Sequence, residues 1–170
     1  ETMIDNWPVP EDKQKYFLEK TFSQAERLTD LINDVSLLNN IEDAGELFPF
    51  KPTDIKKVID EVYENLANRM HEKKIKFINE VPDKAIIHGN ESLLFSIFQN
   101  FMENSINYGG ENISVFIRVY HEDEKFYYFS YSDTGAGIPN KHLPRIFERF
   151  YRVDHGRTRE AGGTGLGLAI

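Results

Sequence analysis

Two glycine-rich segments in the second half of the chain have residue types that could hold an anion. The first reads Asp-Thr-Gly-Ala-Gly at 133–137, and the second reads Gly-Thr-Gly-Leu-Gly at 163–167. Glycine lets a backbone approach a ligand closely, and successive N–H groups in such loops form concave anion sites. A carboxylate acceptor in one segment and a phosphate cradle in the other indicate a nucleotide held across both. The pattern is neither the P-loop nor the dinucleotide fingerprint, because no Gly-Lys-Ser/Thr follows and no strand-turn-helix arrangement fits it.

A third candidate is a stripe of polar side chains on an otherwise apolar helix predicted over 91–107. Asn100, Glu103, Asn104 and Asn107 recur at i, i+3, i+4 and i+7, which places all four on one face. Oxygen ligands for Mg²⁺ and hydrogen bonds to phosphate would explain such a stripe. By periodicity alone, a face turned to water is the better explanation. The two glycine-rich segments shift the balance towards ligand binding.

Composition limits the classes of protein to which the chain can belong. Its 170 residues suit one ordinary domain with an appendage, and the absence of cysteine excludes disulfides and thiolate metal sites. No apolar run reaches the roughly 20 residues that span a bilayer. A net charge of −8 argues against general nucleic-acid binding. The segment 140–161 is locally basic, however, and suits a small polyanion.

The elements that must position these residues begin with a long helix predicted over 11–44. Its apolar residues are spaced by threes and fours, and Gly45 follows as a C-terminal cap. A helix of this length favours partner helices, as in a bundle or coiled coil, over packing on its own domain.

The remainder alternates strands and helices. The chain predicts strands at 48–51, 75–81 and 85–88, a helix from an N-cap at Thr53 to about residue 71, and a hairpin of strands 113–121 and 125–132. A short helix is expected at 143–150, and another is expected to begin at 166–170.

Four ordered motifs carry a resemblance to a known family. They read NFMENSINY at 100–108, DTGAG at 133–137, IFERFYR at 146–152 and GTGLGL at 163–168. This order resembles the N, G1, F and G2 boxes of sensor histidine kinases, whose ATP-binding domain has the Bergerat (GHKL) fold. ERLTDLIND at 26–34 is similar to the second helix of their dimerisation hairpin.

The resemblance implies an α+β fold, a two-layer sandwich with a mixed sheet covered on one face by helices. Residues 1–46 would form part of the dimerisation and phosphoacceptor domain, and 47–170 the ATP-binding catalytic domain. The helix with the phosphoacceptor histidine and the final strands of the family are not recognisable, so we expect the sequence to be truncated at both ends.

The same resemblance implies an adenine site. Asp133 would accept a hydrogen bond from the adenine amino group, while Gly135 and Gly137 would let the backbone approach the base. Tyr108 would lie against the adenine, and Ile138 would also belong to the nucleotide-binding set.

It also implies a metal and phosphate site. Asn104 would coordinate Mg²⁺ and Asn100 would assist, whereas Tyr151 and Arg152 would reach the terminal phosphate. Asn107, also in the nucleotide-binding set, stands where the family usually has a basic residue, so charge neutralisation would rely more on Mg²⁺ and Arg152.

A mobile lid over 140–162 is a further implication, anchored by Phe147 and Phe150. The second glycine-rich segment would wrap the phosphates at a helix N-terminus, where amides and the helix dipole favour anions. Its nucleotide-binding residues would be Gly163, Thr164, Gly165, Leu166 and Gly167.

The activity implied is transfer of the ATP γ-phosphoryl group to a histidine, followed by relay to the receiver domain of a response regulator. We expect ATP and Mg²⁺ as cofactors, a homodimer through the helical hairpin, no nucleic-acid partner, and a cytoplasmic location with any membrane segment upstream. Two alternatives remain open. One is a Bergerat-fold ATPase in which Glu103 activates water, and the other is a nucleotide-sensing or interaction module without kinase activity.

Overall fold

A computed structural model describes residues 8–43, 49–153 and 164–169 of the chain. Three α-helices, five strands and one 3₁₀ turn make up these described segments. In chain order they are α1 (Glu11–Asp43), β1 (Lys51–Asp54), α2 (Ile55–Glu72), β2 (Lys76–Glu80), β3 (Ile86–Gly89), α3 (Glu91–Tyr108), β4 (Ser114–Glu122), β5 (Tyr127–Asp133) and the 3₁₀ turn Leu143–Arg145. Within these segments, no helix combines the length and the apolar character needed to cross a membrane.

The strands form a mixed sheet and a separate two-stranded ribbon. In the sheet, β4 lies in the centre, parallel to β2 and antiparallel to β5. The ribbon pairs β1 with β3 in antiparallel fashion. The mixed sheet, the α+β class and the β4–β5 hairpin are therefore confirmed. In the hairpin register Asp133 lies opposite Val115, so the end of β5 returns to the start of β4.

The core lies between the sheet and the helices α2 and α3. On β4, the buried side chains Val115 and Ile117 alternate with the more exposed Phe116 and Arg118, so one face of the strand turns inwards. Ring contacts connect the layers, with Tyr63 of α2 stacked on Phe77 of β2 at 4.6 Å between ring centroids. Buried apolar side chains of α2 and α3 complete the same cluster: Ile55, Val58, Ile59, Val62, Leu66, Met70, Phe98, Met102 and Ile106.

The predicted start of α2 was wrong by one residue. The helix begins at Ile55 with Asp54 as its N-cap, and Thr53 belongs to β1. The buried Thr53 hydroxyl contacts the carbonyl oxygen of Gly89 at 3.1 Å and that of Lys51 at 3.0 Å, so it serves the β1–β3 ribbon instead of the helix. The strand was predicted at 48–51, of which Phe48 lies outside the described residues; pairing with β3 places β1 at Lys51–Asp54.

Two predicted helices near the carboxyl-terminal end do not form in the described residues. Over 143–150 only the 3₁₀ turn is present, and Phe150 has a φ of +64°, which lies outside the α-helical region. Residues 167–169 form a turn closed by a 2.8 Å hydrogen bond from the Ala169 N–H to the Leu166 carbonyl oxygen. A single i to i+3 bond is a turn and not a helix.

The long helix α1 is confirmed over Glu11–Asp43, and Gly45 lies outside the described residues. Its large apolar side chains remain open to solvent, since Leu18, Phe22, Leu28 and Ile32 are all exposed. An apolar face of this kind gains stability only when another surface covers it. Association of α1 with partner helices remains a prediction.

We predict that Ile59→Ala lowers the free energy of unfolding by about 2–5 kcal/mol, because it opens a cavity at a fully buried position. Ile97→Ala is the matched control, since Ile97 also lies within a helix but is 37% exposed. Its loss should stay below about 1 kcal/mol. Denaturant unfolding followed by circular dichroism measures the free energy of unfolding of both variants. Equal losses would contradict the placement of Ile59 in the core and of Ile97 at its edge.

Candidate functional site

Helix α3 carries the polar stripe on the side opposite its buried residues. Asn100, Glu103, Asn104 and Asn107 are all partly exposed, whereas Phe98, Met102, Ser105 and Ile106 are buried. The helix is held at its start by the Asn90 side chain, which accepts a 3.1 Å hydrogen bond from the Leu93 N–H. The amide-rich face is therefore presented outwards by a helix whose other face is fixed in the core.

Asp133 is brought to α3 by the end of β5. Its Oδ2 accepts a 2.7 Å hydrogen bond from the hydroxyl of Ser105, and its Oδ1 accepts a 2.9 Å hydrogen bond from the Gly135 N–H. Asp133 itself remains exposed. The carboxylate is thus oriented by two donors and retains accessible acceptor capacity for a ligand.

The first glycine-rich segment packs directly on the end of α3. A Cβ atom added at Gly135 would lie 2.6 Å from both the Cα and the carbonyl oxygen of Gly109. Since these are backbone atoms, only glycine fits here without displacement. On the other side, Thr134 is tied to Ser114 by a 3.0 Å backbone bond. The close approach of this segment to α3 is therefore possible because Gly135 has no side chain.

The second glycine-rich segment meets the other end of the stripe. Gly163 lies outside the described residues, but a Cβ at Gly167 would lie 2.9 Å from the Asn100 Cγ. Gly165 has a φ of +79°, and its carbonyl oxygen accepts a 2.8 Å hydrogen bond from the Phe150 N–H. The side chain of Leu166 is fully buried, so this residue could offer a ligand only its backbone.

A hydrogen bond connects this second segment to α1. The Thr164 hydroxyl donates to the Asp34 Oδ2 over 2.7 Å and accepts a 3.2 Å bond from the Leu166 N–H. The two residues joined are 130 positions apart in sequence. The long helix and the glycine-rich segment are therefore in direct contact.

Four predicted ligand contacts are exposed apolar or aromatic side chains. They are Tyr108, Ile138, Phe147 and Phe150. Exposed side chains of this size are available to a base or to a lid, but the described contacts do not join them into one surface. The predicted lid over 140–162 lies partly outside the described residues, which stop at 153 and resume at 164.

Tyr151 is engaged within its own segment. Its hydroxyl lies 2.6 Å from the His142 Nδ1, and the guanidinium carbon of Arg145 lies 4.2 Å from the centroid of its ring. Arg145 is held in turn by Glu148 at 2.9 Å. These contacts hold Tyr151 beside His142 and Arg145 of its own segment. Arg152, the other predicted phosphate contact, is half-buried.

Arg69 was missed by the sequence analysis. From α2 it donates a 3.1 Å hydrogen bond to the Asn107 Oδ1, and it lies 3.6 Å from the Glu103 Oε1. The same Glu103 oxygen accepts a 3.1 Å bond from Gln99. The guanidinium group of Arg69 therefore places a positive charge beside Asn107, a residue that has no charge of its own. Nothing in the local sequence indicated it, because Arg69 and Asn107 are 38 residues apart.

Ser105 and Tyr131 were also missed. Ser105 is one of only two buried polar residues among the described segments, and its hydroxyl contacts Tyr131 as well as Asp133. Burial is the largest cause that raises the pKa of Tyr131 above its ordinary value; the hydrogen bond with Ser105 lowers the pKa, and the nearby Asp133 charge raises it. A serine within a polar stretch of a helix gives no sign of such a role.

Comparison with known proteins places these motifs in context. A family model described as histidine kinase-, DNA gyrase B-, and HSP90-like ATPase matches residues 89–170. The chain is 32% identical over 156 residues to sensor histidine kinase WalK of Bacillus subtilis, which covers 91% of the chain and 25% of WalK. It is 32% identical over 170 residues to the phosphate regulon sensor protein PhoR of Pseudomonas aeruginosa, which covers 100% of the chain and 38% of PhoR.

The fold has a solved counterpart. Full-length ShkA in complex with AMPPNP is 29% identical and superposes with a TM-score of 0.72, covering 92% of this chain and 32% of ShkA. The chain therefore spans between a quarter and about two fifths of the length of the relatives it matches.

We predict that Gly135→Ala lowers the free energy of unfolding by about 1–3 kcal/mol, because the new methyl group forces the Gly109 backbone away. Ala136→Ser, an exposed change in the same segment, is the control and should alter stability by less than about 0.5 kcal/mol. Urea denaturation compares the two. A Gly135→Ala protein as stable as the control would mean that the segment does not pack on α3 as described.

Proposed function

Because this chain is a member of the histidine kinase-, DNA gyrase B-, and HSP90-like ATPase family and a relative of sensor histidine kinases, we propose that it is the ATP-binding catalytic part of such a kinase. In the whole protein it would transfer the γ-phosphoryl group of ATP to a histidine. Residues 47–170 would form the catalytic domain, and 1–46 would belong to the dimerisation and phosphoacceptor domain.

One observation carries the proposal: both glycine-rich segments pack on the same helix. Gly135 lies against Gly109 at the end of α3, and Gly167 lies against Asn100, about two and a half turns earlier on the outward face. The amide stripe is therefore flanked by one segment that begins with a carboxylate acceptor and by another that offers backbone amides. A purine nucleotide has matching ends, an amino-bearing base and an anionic chain.

At the base end, Asp133 would recognise the adenine amino group. Its carboxylate is oriented by Ser105 and Gly135 yet exposed, as an acceptor for an entering donor must be. Tyr108 and Ile138 are exposed apolar surfaces on the neighbouring segments and could cover the faces of the base.

At the phosphate end, the residues present fit a magnesium ion. Asn104 and Asn100 offer amide oxygens on the outward face of α3, and Mg²⁺ prefers oxygen ligands supplied by a few protein groups together with phosphates. When bound, Mg²⁺ would neutralise charge on the phosphates. Arg152, the amides of 163–167 and Arg69 through its contact with Asn107 would add to that neutralisation.

Phosphoryl transfer of this kind depends on positioning and charge neutralisation more than on covalent help from the protein. The acceptor histidine would be supplied by another helix. Of the five histidines in the sequence, His142 is tied to Tyr151, and His71, His88 and His121 lie on α2, β3 and β4. None of these four lies on α1, the helix that resembles the dimerisation hairpin.

The contacts of Glu103 support the kinase over a hydrolytic ATPase. A general base must be free to take a proton from water. Its Oε1 already accepts a hydrogen bond from Gln99 and faces the guanidinium group of Arg69. These contacts favour a role for Glu103 in holding α3 against α2.

Further parts of the proposal come from the relatives alone. The receiver domain of a response regulator would take the phosphoryl group from the histidine, and two chains would associate through the exposed face of α1. A cytoplasmic location, joined to any membrane sensor by upstream segments, is likewise proposed from the kinship with sensor proteins.

We predict that Asp133→Asn abolishes measurable binding of a non-hydrolysable ATP analogue, a loss of about 100-fold or more. The amide would place a donor opposite the adenine amino group and remove a charge-assisted bond. Asp123→Asn is the matched control, because Asp123 is an exposed hairpin carboxylate that also accepts backbone hydrogen bonds. Isothermal calorimetry measures both variants. Unchanged affinity in Asp133→Asn would remove the adenine assignment.

We predict that Asn104→Ala removes the gain in affinity that Mg²⁺ gives to the analogue. Wild-type protein should bind at least about tenfold more tightly with Mg²⁺ than with EDTA, and the variant should bind about equally in both. Asn65→Ala serves as the control, since Asn65 is an exposed asparagine within α2. Persistence of the full Mg²⁺ effect in Asn104→Ala would place the metal elsewhere.

A further inference from the structure

A partly buried chain of two hydroxyl groups, those of Tyr131 and Ser105, leads to the carboxylate of Asp133. The Ser105 hydroxyl lies 2.7 Å from the Asp133 Oδ2 and 2.7 Å from the Tyr131 hydroxyl, and the Tyr131 hydroxyl lies 3.0 Å from the carbonyl oxygen of Phe101. Ser105 is 2% exposed, so water does not compete for its contacts.

The three contacts share only two hydroxyl protons. An ionised carboxylate only accepts hydrogen bonds, so Ser105 must give its proton to Asp133 for that contact to be a bond. The Ser105–Tyr131 contact is then satisfied only if Tyr131 donates to Ser105. The Tyr131 hydroxyl also donates towards the Phe101 carbonyl oxygen at 3.0 Å, so its one proton faces two acceptors, and Ser105, at 2.7 Å, is the nearer of them.

Tyr131 is well suited to remain the first donor. Burial and the Asp133 charge raise its pKa, so the phenol keeps its proton at neutral pH. Its ring is fixed by stacking on Phe101 at 5.2 Å between centroids. The packed ring therefore holds the Tyr131 hydroxyl beside Ser105, whose own proton goes to Asp133.

We propose that Ser105 and Tyr131 are positioning residues for base recognition, with Tyr131 acting through Ser105 to hold Asp133 as an oriented acceptor that selects an amino-bearing purine over a carbonyl-bearing one. The inference rests on the proposed nucleotide site. It adds that adenine-over-guanine selectivity depends on two hydroxyl groups that do not touch the base.

The selectivity follows from the direction of the chain. With Ser105 donating to Oδ2 and Gly135 to Oδ1, the carboxylate is held in one rotamer, with its remaining lone pairs facing outwards. An entering amino group finds an acceptor, whereas the carbonyl oxygen of guanine meets a second acceptor. Without the hydroxyl chain, Asp133 can rotate, and part of this discrimination is lost.

The test compares Ser105→Ala, Tyr131→Phe and the double variant for binding of non-hydrolysable ATP and GTP analogues by calorimetry. Ser105→Ala should weaken the adenine analogue about 5- to 20-fold and Tyr131→Phe about 3- to 10-fold, the range expected for single hydrogen bonds. The double variant should be no weaker than Ser105→Ala alone, because Tyr131 acts only through Ser105. The adenine-to-guanine affinity ratio should fall in each variant.

Tyr128→Phe is the matched control. Tyr128 lies on the same strand, and its hydroxyl also meets a carboxylate, that of Asp123 at 3.1 Å, but in the hairpin. The Tyr128→Phe variant should bind both analogues with affinities within about twofold of the wild-type values. Thermal unfolding of each variant separates a loss of fold from a loss of selectivity, and Tyr131→Phe keeps the test valid if Ser105→Ala does not fold.

Three results would overturn the inference: Tyr131→Phe binding as wild type does, losses that multiply in the double variant, or an adenine-to-guanine ratio that no variant changes. In each case wild-type binding of the ATP analogue would leave the proposed function standing. Failure of wild-type protein to bind the analogue would instead refute the proposed function and the inference together.

Discussion

The two opposite surfaces of α3 are the constraint on which the candidate site depends. One surface must enter the core, where Phe98, Met102 and Ile106 meet α2 and the sheet. The other must stay outside with a row of amides that would be costly to bury unpaired. Because the helix is fixed by its apolar side, the positions of its polar groups are fixed as well. The site is thus precise for the same reason that the core is stable.

Both glycine-rich segments take their positions from that helix. Gly135 and Gly167 have no side chain at the points where a Cβ would strike the Gly109 backbone and the Asn100 amide. Close packing of this kind leaves little freedom for either segment to slide along α3. The distance between the Asp133 carboxylate and the backbone amides of the second glycine-rich segment is therefore set by α3, which both segments contact.

Much of this arrangement could be predicted from the sequence, because periodicity is a local property. The stripe from Asn100 to Asn107 needs only helical spacing, and the β4–β5 hairpin needs only two β-rich runs and a turn. Thr53 was misassigned because its preference for helix caps was overridden by pairing of β1 with β3. Local preference is a weak guide wherever a distant strand supplies a better partner.

The contacts that refine the site lie beyond such reasoning. Ser105 meets Tyr131 across 26 residues of chain and Asp133 across 28, and Arg69 meets Asn107 across 38. None of these residues has a type or spacing that predicts its partner. Only the packing of α3 between α2 and β5 brings them together. The four ordered motifs could therefore predict a nucleotide as the ligand, while the neighbours of the proposed ligand contacts became visible only in the fold.

The hydrogen bond between Thr164 and Asp34 has a consequence for how the long helix and the glycine-rich segment behave together. A hydroxyl–carboxylate bond contributes about 1.5–3 kcal/mol at most, and less where water reaches it, as it does around these half-buried side chains. That is only a few times the thermal energy. Breaking this contact therefore costs far less than unfolding either the helix or the segment.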